Sequence, residues 1–372
     1  MNSAMTDSSL ILIGVGGTGS LTVRGVRRAY GGRLRALAID TDAATGSAGD
    51  VDFSLLGGNR LSGRGSGGQS AAVRAAFQDD PAFIDSKLEG VRTAVVVTAL
   101  GGGTANGATG ELVKHLNLLG ITSLVFATLP FSFEGEERRR EAHAALGPVS
   151  THADALAAMP LDQLVADAGS DNFQLALQRA ADTLASGVTL LWRILEKPGY
   201  IKLDSERLRN ILSSAGSARF AAVSATGDNR ADIVINQLRQ SALLAAGPAA
   251  RPIRKVLLGI LAGDDLRLSE IDKLVKGVQS AFAPNAELEL GTVNDEETFS
   301  GCLAAAVLLF EECAVSSARA KSGDPAKRLR HLSSGERALT ASDRFGNSEK
   351  TSWNDENLDI PTYLRRNLTL ER

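Results

Sequence analysis

The chain has 372 residues, 44% apolar and 22% charged, with a formal net charge of −3, so no global excess of basic charge calls for a nucleic-acid partner. That length supports two cores of ordinary domain size, and 38 glycines with 5% aromatics point to an α/β chain rich in tight turns. No apolar run reaches about 18 residues and MNSAMTDSS lacks a signal-peptide pattern, which predicts a cytoplasmic protein without a membrane span.

After an N-terminal tail, residues 1–8, the segment 9-SLILI-13 predicts a buried strand followed by the glycine run 14-GVGGTGS-20. The spacing 19–31 predicts a helix with Leu21, Val23 and Val26 inward and Arg24, Arg27 and Arg28 largely outward, and 34-LRALAIDTD-42 the next strand. Asp40 and Asp42, at that strand's end, suit a ribose hydroxyl, Mg²⁺ or a cap equally well. Gly14, Gly16 and Gly19 satisfy G-x-G-x-x-G, a weak signal alone. A glycine-rich loop follows at 56–69, whose serines and consecutive N–H groups can close over phosphates or simply connect, and then a helix from residue 70 that Pro81 interrupts.

The most informative stretch is 98-TALGGGTANGATGEL-112. It follows the Val-rich strand 93–100 and precedes the helical pattern 109–120, with Glu111 expected in the opening turn. Two strand-to-helix glycine turns fit an anionic ligand held from both sides, because unpaired N–H groups and the helix dipole face whatever fills each turn. Strand 121–129 ends in 130-PFSFEGEERRREAHAAL-146, where Glu134 and Arg138 share a helical face. The interval 148–170 carries little pattern beyond a short strand or helix at 161–169, whereas 171–199 reads as a long helix burying Leu175, Leu184, Val188, Leu191 and Trp192. A polar loop and helix start (200–216) lead to strands 218–227, 253–263, 286–293 and a final one at 301–312, alternating with helices 229–244 and 267–283. Cys302 and Cys313 read as core thiols in a reducing compartment.

This ordered set resembles the tubulin/FtsZ superfamily, nearest its bacterial cell-division branch. GGGTANG is similar to the signature GGGTGTG, with Ala105-Asn106 replacing Gly-Thr; GVGG, RGSGG, PFSFEG, EKPGYIKLD and DLRLSE fall in the family's order over residues 9–312. The resemblance implies an α/β fold with a Rossmann-like GTPase domain (9–170), a central core helix (171–199) and a smaller α/β activation domain (200–315). It also implies GTP/GDP with Mg²⁺, the phosphates surrounded by Gly14, Gly16, Gly17, Thr18, Gly19, Gly67, Gly68, Gly101, Gly102, Gly103, Thr104 and Asn106. Glu134 and Arg138 would meet the sugar-phosphate side and Asp182 the guanine, while Leu21 occupies the place of a polar base contact; no residue is assigned as a direct metal ligand.

The family's activation loop, N-L-D-x-x-D, enters the next subunit's nucleotide site. Here it aligns with 202-KLDSER-207, which keeps Asp204 and offers Glu206 as a second acid but places Lys202 and Arg207 at the usual Asn and Asp. The resemblance therefore implies head-to-tail filaments with GTP hydrolysis between subunits; a weakly hydrolysing structural or regulatory paralogue and an NAD(P)-dependent oxidoreductase are the competing readings. Residues 316–354, Ser/Arg/Gly/Asp-rich, predict a flexible linker. The segment 355–372, with DENLDIPTYLRRN, resembles the peptide by which division members bind a membrane-linked adaptor, and so implies a place at the division site.

Overall fold

The computed structural model describes residues 9–31, 34–165, 172–196, 199–203, 205–212, 216–245, 251–311, 352–353 and 356–357. The chain divides into two units, Met1–Ala318 and Arg319–Arg372.

In the first unit, β1 (Leu10–Val15), β2 (Ala36–Asp40), β3 (Asp52–Leu55), β4 (Thr93–Ala99), β5 (Thr122–Leu129) and β6 (Ala155–Pro160) lie parallel in the order β3-β2-β1-β4-β5-β6. β1, β2, β4 and β5 are apolar runs without alternation because helices cover both faces. Along β1, Leu10 and Leu12 pack on one side with Val23 and Val26 of α1 (Gly16–Tyr30), whereas Ile11 and Ile13 pack on the other. That second side is covered by α2 (Ser70–Asp79), α3 (Gly103–Leu118) and α4 (Glu136–His152).

The long helix α5 (Phe173–Glu196) buries Leu184, Val188, Leu191 and Trp192 as expected, on the α1 side of the sheet. After α6 (Ser205–Leu212), strands β7 (Gly216–Thr226), β8 (Ile253–Ala262), β9 (Glu287–Asn294) and β10 (Cys302–Glu311) form the mixed array β7-β10-β8-β9. It is backed by α7 (Arg230–Gln240) and α8 (Leu268–Phe282). Both arrays are one ten-stranded sheet, because β6 pairs in parallel with β7 through Ala155–Gly216, Leu156–Ser217 and Ala157–Ala218. The DLRLSE segment is fixed by Arg230, which donates to Asp265 and to Glu270 at 2.7 Å and holds the Glu270 carboxyl below the usual range.

Several sequence expectations need correction. β3 and β6 escape a periodicity search, being short and joined by pairing the sequence does not display; residues 161–164 settle as one helical turn. α1 starts at Gly16 and α3 at Gly103, so the glycines open helices, and Glu111 lies in mid-helix accepting from Gln78. Leu21 is 65% exposed and Leu175 42%, whereas Arg24 is buried, donating to the Thr45 carbonyl and pairing with Asp50 at 3.3 Å; the 43–50 segment covers that side of α1, which one-helix periodicity cannot show. Cys302 is half-buried, its thiol pushed up by burial, and Cys313 lies outside the described residues. β10 is not the last strand: in the second unit β11 (Ser352–Trp353) pairs antiparallel with β12 (Glu356–Asn357). The remaining linker and tail expectations fall outside the described residues.

Phe126 of β5 is fully buried and meets Phe220 of β7 edge-on at 4.9 Å, joining the two halves of the sheet beneath α5. Phe126→Ala is expected to lower unfolding free energy by about 3–5 kcal/mol, read from the midpoint of a denaturant titration.

Candidate functional site

The strand order reverses between β1 and β4, neighbours whose following helices leave to opposite faces of the sheet. Such a divergence opens a crevice at the strands' carboxyl ends. Both glycine turns lie there. α1 has Val15 as N-cap and α3 has Gly102; neither has a side-chain cap or an acidic residue in its first turn. α2, which follows the 66–69 loop, likewise starts without a side-chain cap or a first-turn acid, whereas α4 carries Glu136 and Glu137 in its first turn and α8 carries Glu270. Two helix starts of 15 and 16 residues thus leave their N–H groups and positive dipole ends for an outside anion.

The two turns meet. A methyl built on Gly16 would lie 3.6 Å from the Ala105 nitrogen and 3.8 Å from the Thr104 Cβ. Gly19 is required by close approach, since a methyl there would come within 2.5 Å of the Val97 carbonyl and push α1 off β4. The 66–69 loop closes a third side: a methyl on Gly103 would reach Ser66 Oγ at 2.5 Å and the Gly68 carbonyl carbon at 2.6 Å. Gly67 and Gly68 are exposed there, and Gly17 and Thr18 are exposed in the first turn of α1. Asn106 Oδ1 accepts from the Gly101 N–H at 2.8 Å and so shapes the second turn. Arg138 Nε lies 3.1 Å from a methyl built on Gly101 and 3.1 Å from Glu134 Oε2, while Glu134 Oε1 accepts from the Phe131 N–H at 2.9 Å.

Sequence reasoning misses Thr41 and leaves Ser66 undistinguished among the serines of the 56–69 loop. Thr41 Oγ1 is 2.7 Å from Thr104 Oγ1, both buried, and ties the end of β2 to α3; Ser66 stands against Gly103. A hydroxyl at a strand's carboxyl end and one inside a glycine loop were the available signals. Asp40 accepts from the Thr41 N–H at 2.7 Å and Thr45 Oγ1 at 2.8 Å, and Asp42 caps the following turn through the Ala44 N–H. Both carboxylates therefore serve the backbone here, although Asp40 Oδ2 stands 3.9 Å from a methyl built on Gly17. Among the described residues no group of three or more His, Cys, Asp or Glu could hold a metal.

Asp182 is exposed on α5, 3.2 Å from Gln178 Nε2, and borders a cleft of about 640 Å³ with Gln163, Ser224 and Gln237. α1 and α5 run alongside each other with Gly25 against Ala185 and the Ala29 carbonyl against Arg193. Glu206 is exposed and accepts from Arg209 at 3.0 Å, Arg207 Nε lies 3.3 Å from Glu289, Lys202 is exposed, and Asp204 falls outside the described residues.

Comparison with known proteins gives this geometry a family. The model for the tubulin/FtsZ family GTPase domain matches residues 9–168, and that for the FtsZ family C-terminal domain matches 216–309. The chain belongs to the tubulin/FtsZ family. It is 28% identical over 303 residues to the cell division protein FtsZ of Wigglesworthia glossinidia brevipalpis, covering 78% of this chain and 77% of that protein. Its fold is similar to an empty FtsZ dimer of M. jannaschii (TM-score 0.75, 23% identity, 81% of this chain and 88% of that one). It is also similar to CetZ2 of Haloferax volcanii in a GTPγS-bound protofilament (TM-score 0.67, 23% identity, 88% and 100%). Family membership makes this a GTPase-type, GTP- or GDP-binding cytoskeletal protein and displaces the oxidoreductase reading. Among the described residues no helix is long and apolar enough to cross a membrane.

A methyl on Gly102 meets no protein atom within 4 Å, so a side chain there projects into open space at the mouth of the crevice. Gly102→Val is expected to keep stability within about 0.5 kcal/mol while GTP affinity by calorimetry falls about tenfold or more; unchanged affinity would remove this turn from the phosphate site.

Proposed function

We propose that the chain binds GTP in the β1/β4 crevice, assembles head to tail, and hydrolyses GTP at the contact between subunits as a division-type filament in the cytoplasm. The observation that carries this reading is the pair of uncapped, acid-free helix starts facing one another at the strand-order switch. Phosphoryl transfer to water calls for charge neutralisation and a positioned water rather than covalent chemistry. The N–H groups of residues 16–19 and 102–104, with Arg138 at the edge, supply the neutralisation. Mg²⁺ would arrive with the triphosphate, sharing phosphate charge, with Thr41, Thr104 and Asp40 nearest to hand.

Among the described residues of the crevice, Asp40, Asp42 and Glu134 each already accept from a backbone N–H group. That supports supply of the water-orienting group by the neighbour, from the 202–207 loop, with Asp204 as its acid and Glu206 beside it. Lys202 and Arg207 favour slow turnover. Arg207 is occupied with Glu289, and a cation at either place stabilises phosphate charge without accepting a proton from water. This specific departure is what favours the second reading, a nucleotide-binding paralogue that hydrolyses weakly and works beside a more active partner.

Asp204→Ala is expected to bind GTP normally yet lower phosphate release per assembled subunit by about a hundredfold. Adding Gly102→Val subunits, which keep Asp204, is expected to restore part of it; wild-type turnover in the assembled Asp204→Ala protein would end the assignment. For the tail, deleting residues 355–372 is expected to leave GTP-dependent pelleting intact while abolishing capture by a membrane-linked adaptor, and retained capture at unchanged affinity would refute the adaptor-hook reading.

A further inference from the structure

Arg193, near the carboxyl end of α5, is a buried charge with its side chain 7% exposed. Its Nη1 donates to Asp295 Oδ2 at 2.7 Å, and the Asp295 side chain is likewise 7% exposed. The same guanidinium lies over the Tyr30 ring at 5.2 Å and the Phe299 ring at 5.7 Å, and reaches the Ala29 carbonyl at 3.4 Å. One cation therefore grips the end of α1 and the turn after β9 together. Asp295 is itself fixed: its carboxylate accepts from Thr298 Oγ1 at 2.9 Å, and its N–H donates to the Ala262 carbonyl at 3.0 Å. Burial and Glu196 push the Tyr30 phenol up, so it stays a neutral ring beneath the guanidinium, while Glu196 also accepts from Trp192 Nε1 at 2.7 Å.

What lies at the far ends of these elements gives the cluster its meaning. The opposite end of α1 is the first turn facing the crevice. On the other side, β9 carries the approach to the activation loop: the Thr292 N–H donates to the Ile201 carbonyl at 2.8 Å, and Thr292 Oγ1 accepts from the Ile201 N–H at 2.8 Å. Leu203 is 1% exposed and packs over Gly291. Residues 199–203 are thus stitched to β9 within a few positions of Asp295. Parting a buried ion pair leaves an uncompensated charge, so the end of α1, the end of α5 and the 291–299 segment are constrained to move as one body.

We propose that Arg193 is a positioning residue that couples the helix facing the nucleotide to the activation loop presented to the next subunit. This rests on the nucleotide reading above. The coupling acts through packing and one ion pair, without contact between Arg193 and either the ligand or the reacting atoms.

The test is hydrogen–deuterium exchange on full-length protein kept dilute enough to remain monomeric, with and without a non-hydrolysable GTP analogue, alongside calorimetry. The wild type is expected to show analogue-dependent slowing at the amides of residues 199–203 and 291–295. Arg193→Met/Asp295→Leu removes both charges at once, the change that buried pairs tolerate best. It is expected to retain the wild-type melting temperature and analogue affinity within about threefold while losing the slowing at those amides. Asp295→Asn, which preserves shape, is expected to lose part of it, and keeps the test open if the double variant fails to fold. Full slowing in the folded variants, or none in a wild type that binds the analogue, would overturn the coupling. A wild type that binds no analogue would instead overturn the nucleotide reading, and the coupling with it.

Discussion

The site depends on how closely α1 and α3 can start beside one another. β1 and β4 are hydrogen-bonded neighbours, and the helix after each leaves on a different face of the sheet. Their first turns therefore open on the same crevice, but only if no side chain holds them apart. Gly19 lets α1 settle onto the Val97 carbonyl, and Gly103 lets the 66–69 loop settle onto α3. Capping side chains or first-turn carboxylates would have satisfied the free N–H groups from within and filled the place of a ligand. Leaving both helix starts uncapped costs some stability, which an anionic ligand restores on binding.

Around that crevice polar groups are mostly committed to holding backbone. Asp40 and Asp42 close the turn after β2, Asn106 closes the turn before α3, and Glu134 orders the 131–134 turn while pairing with Arg138. Fixed N–H groups held this way are preorganised, which is what suits a helix-start crevice to an anion.

The C-terminal half is joined by three kinds of bond that reinforce one another. Sheet pairing passes from β6 to β7, the apolar face of α5 spans both arrays, and Arg193 ties α5 to Asp295. Ile194 of α5 lies close against Gly259 of β8 and Gly291 of β9, where any larger residue would lift the helix from the sheet. These contacts are non-local, and no single one identifies itself in the chain.

The sequence by itself determined the strands of β1, β4 and β5, the long helix, the two glycine turns and their family order, because each is a local pattern: an unbroken apolar run, a helical period, or a motif set off by glycine. Glu134 and Arg138 do pair, but not on the one helical face their spacing suggested: Glu134 closes the 132–134 turn, Gly135 at φ 106° breaks the helix, and Arg138 lies beyond it in α4. Tertiary structure alone decided that Leu21 faces out and Arg24 in, that ALAAMP at 155–160 is a strand, that Thr41 meets Thr104, that Ser66 is the loop serine against Gly103, and that Arg193 is buried against Asp295. Each of those depends on a neighbour elsewhere in the chain: Arg24 is held by Thr45 and Asp50 after β2, β6 by the strands on either side of it, and the charge of Arg193 by a carboxylate 102 residues away.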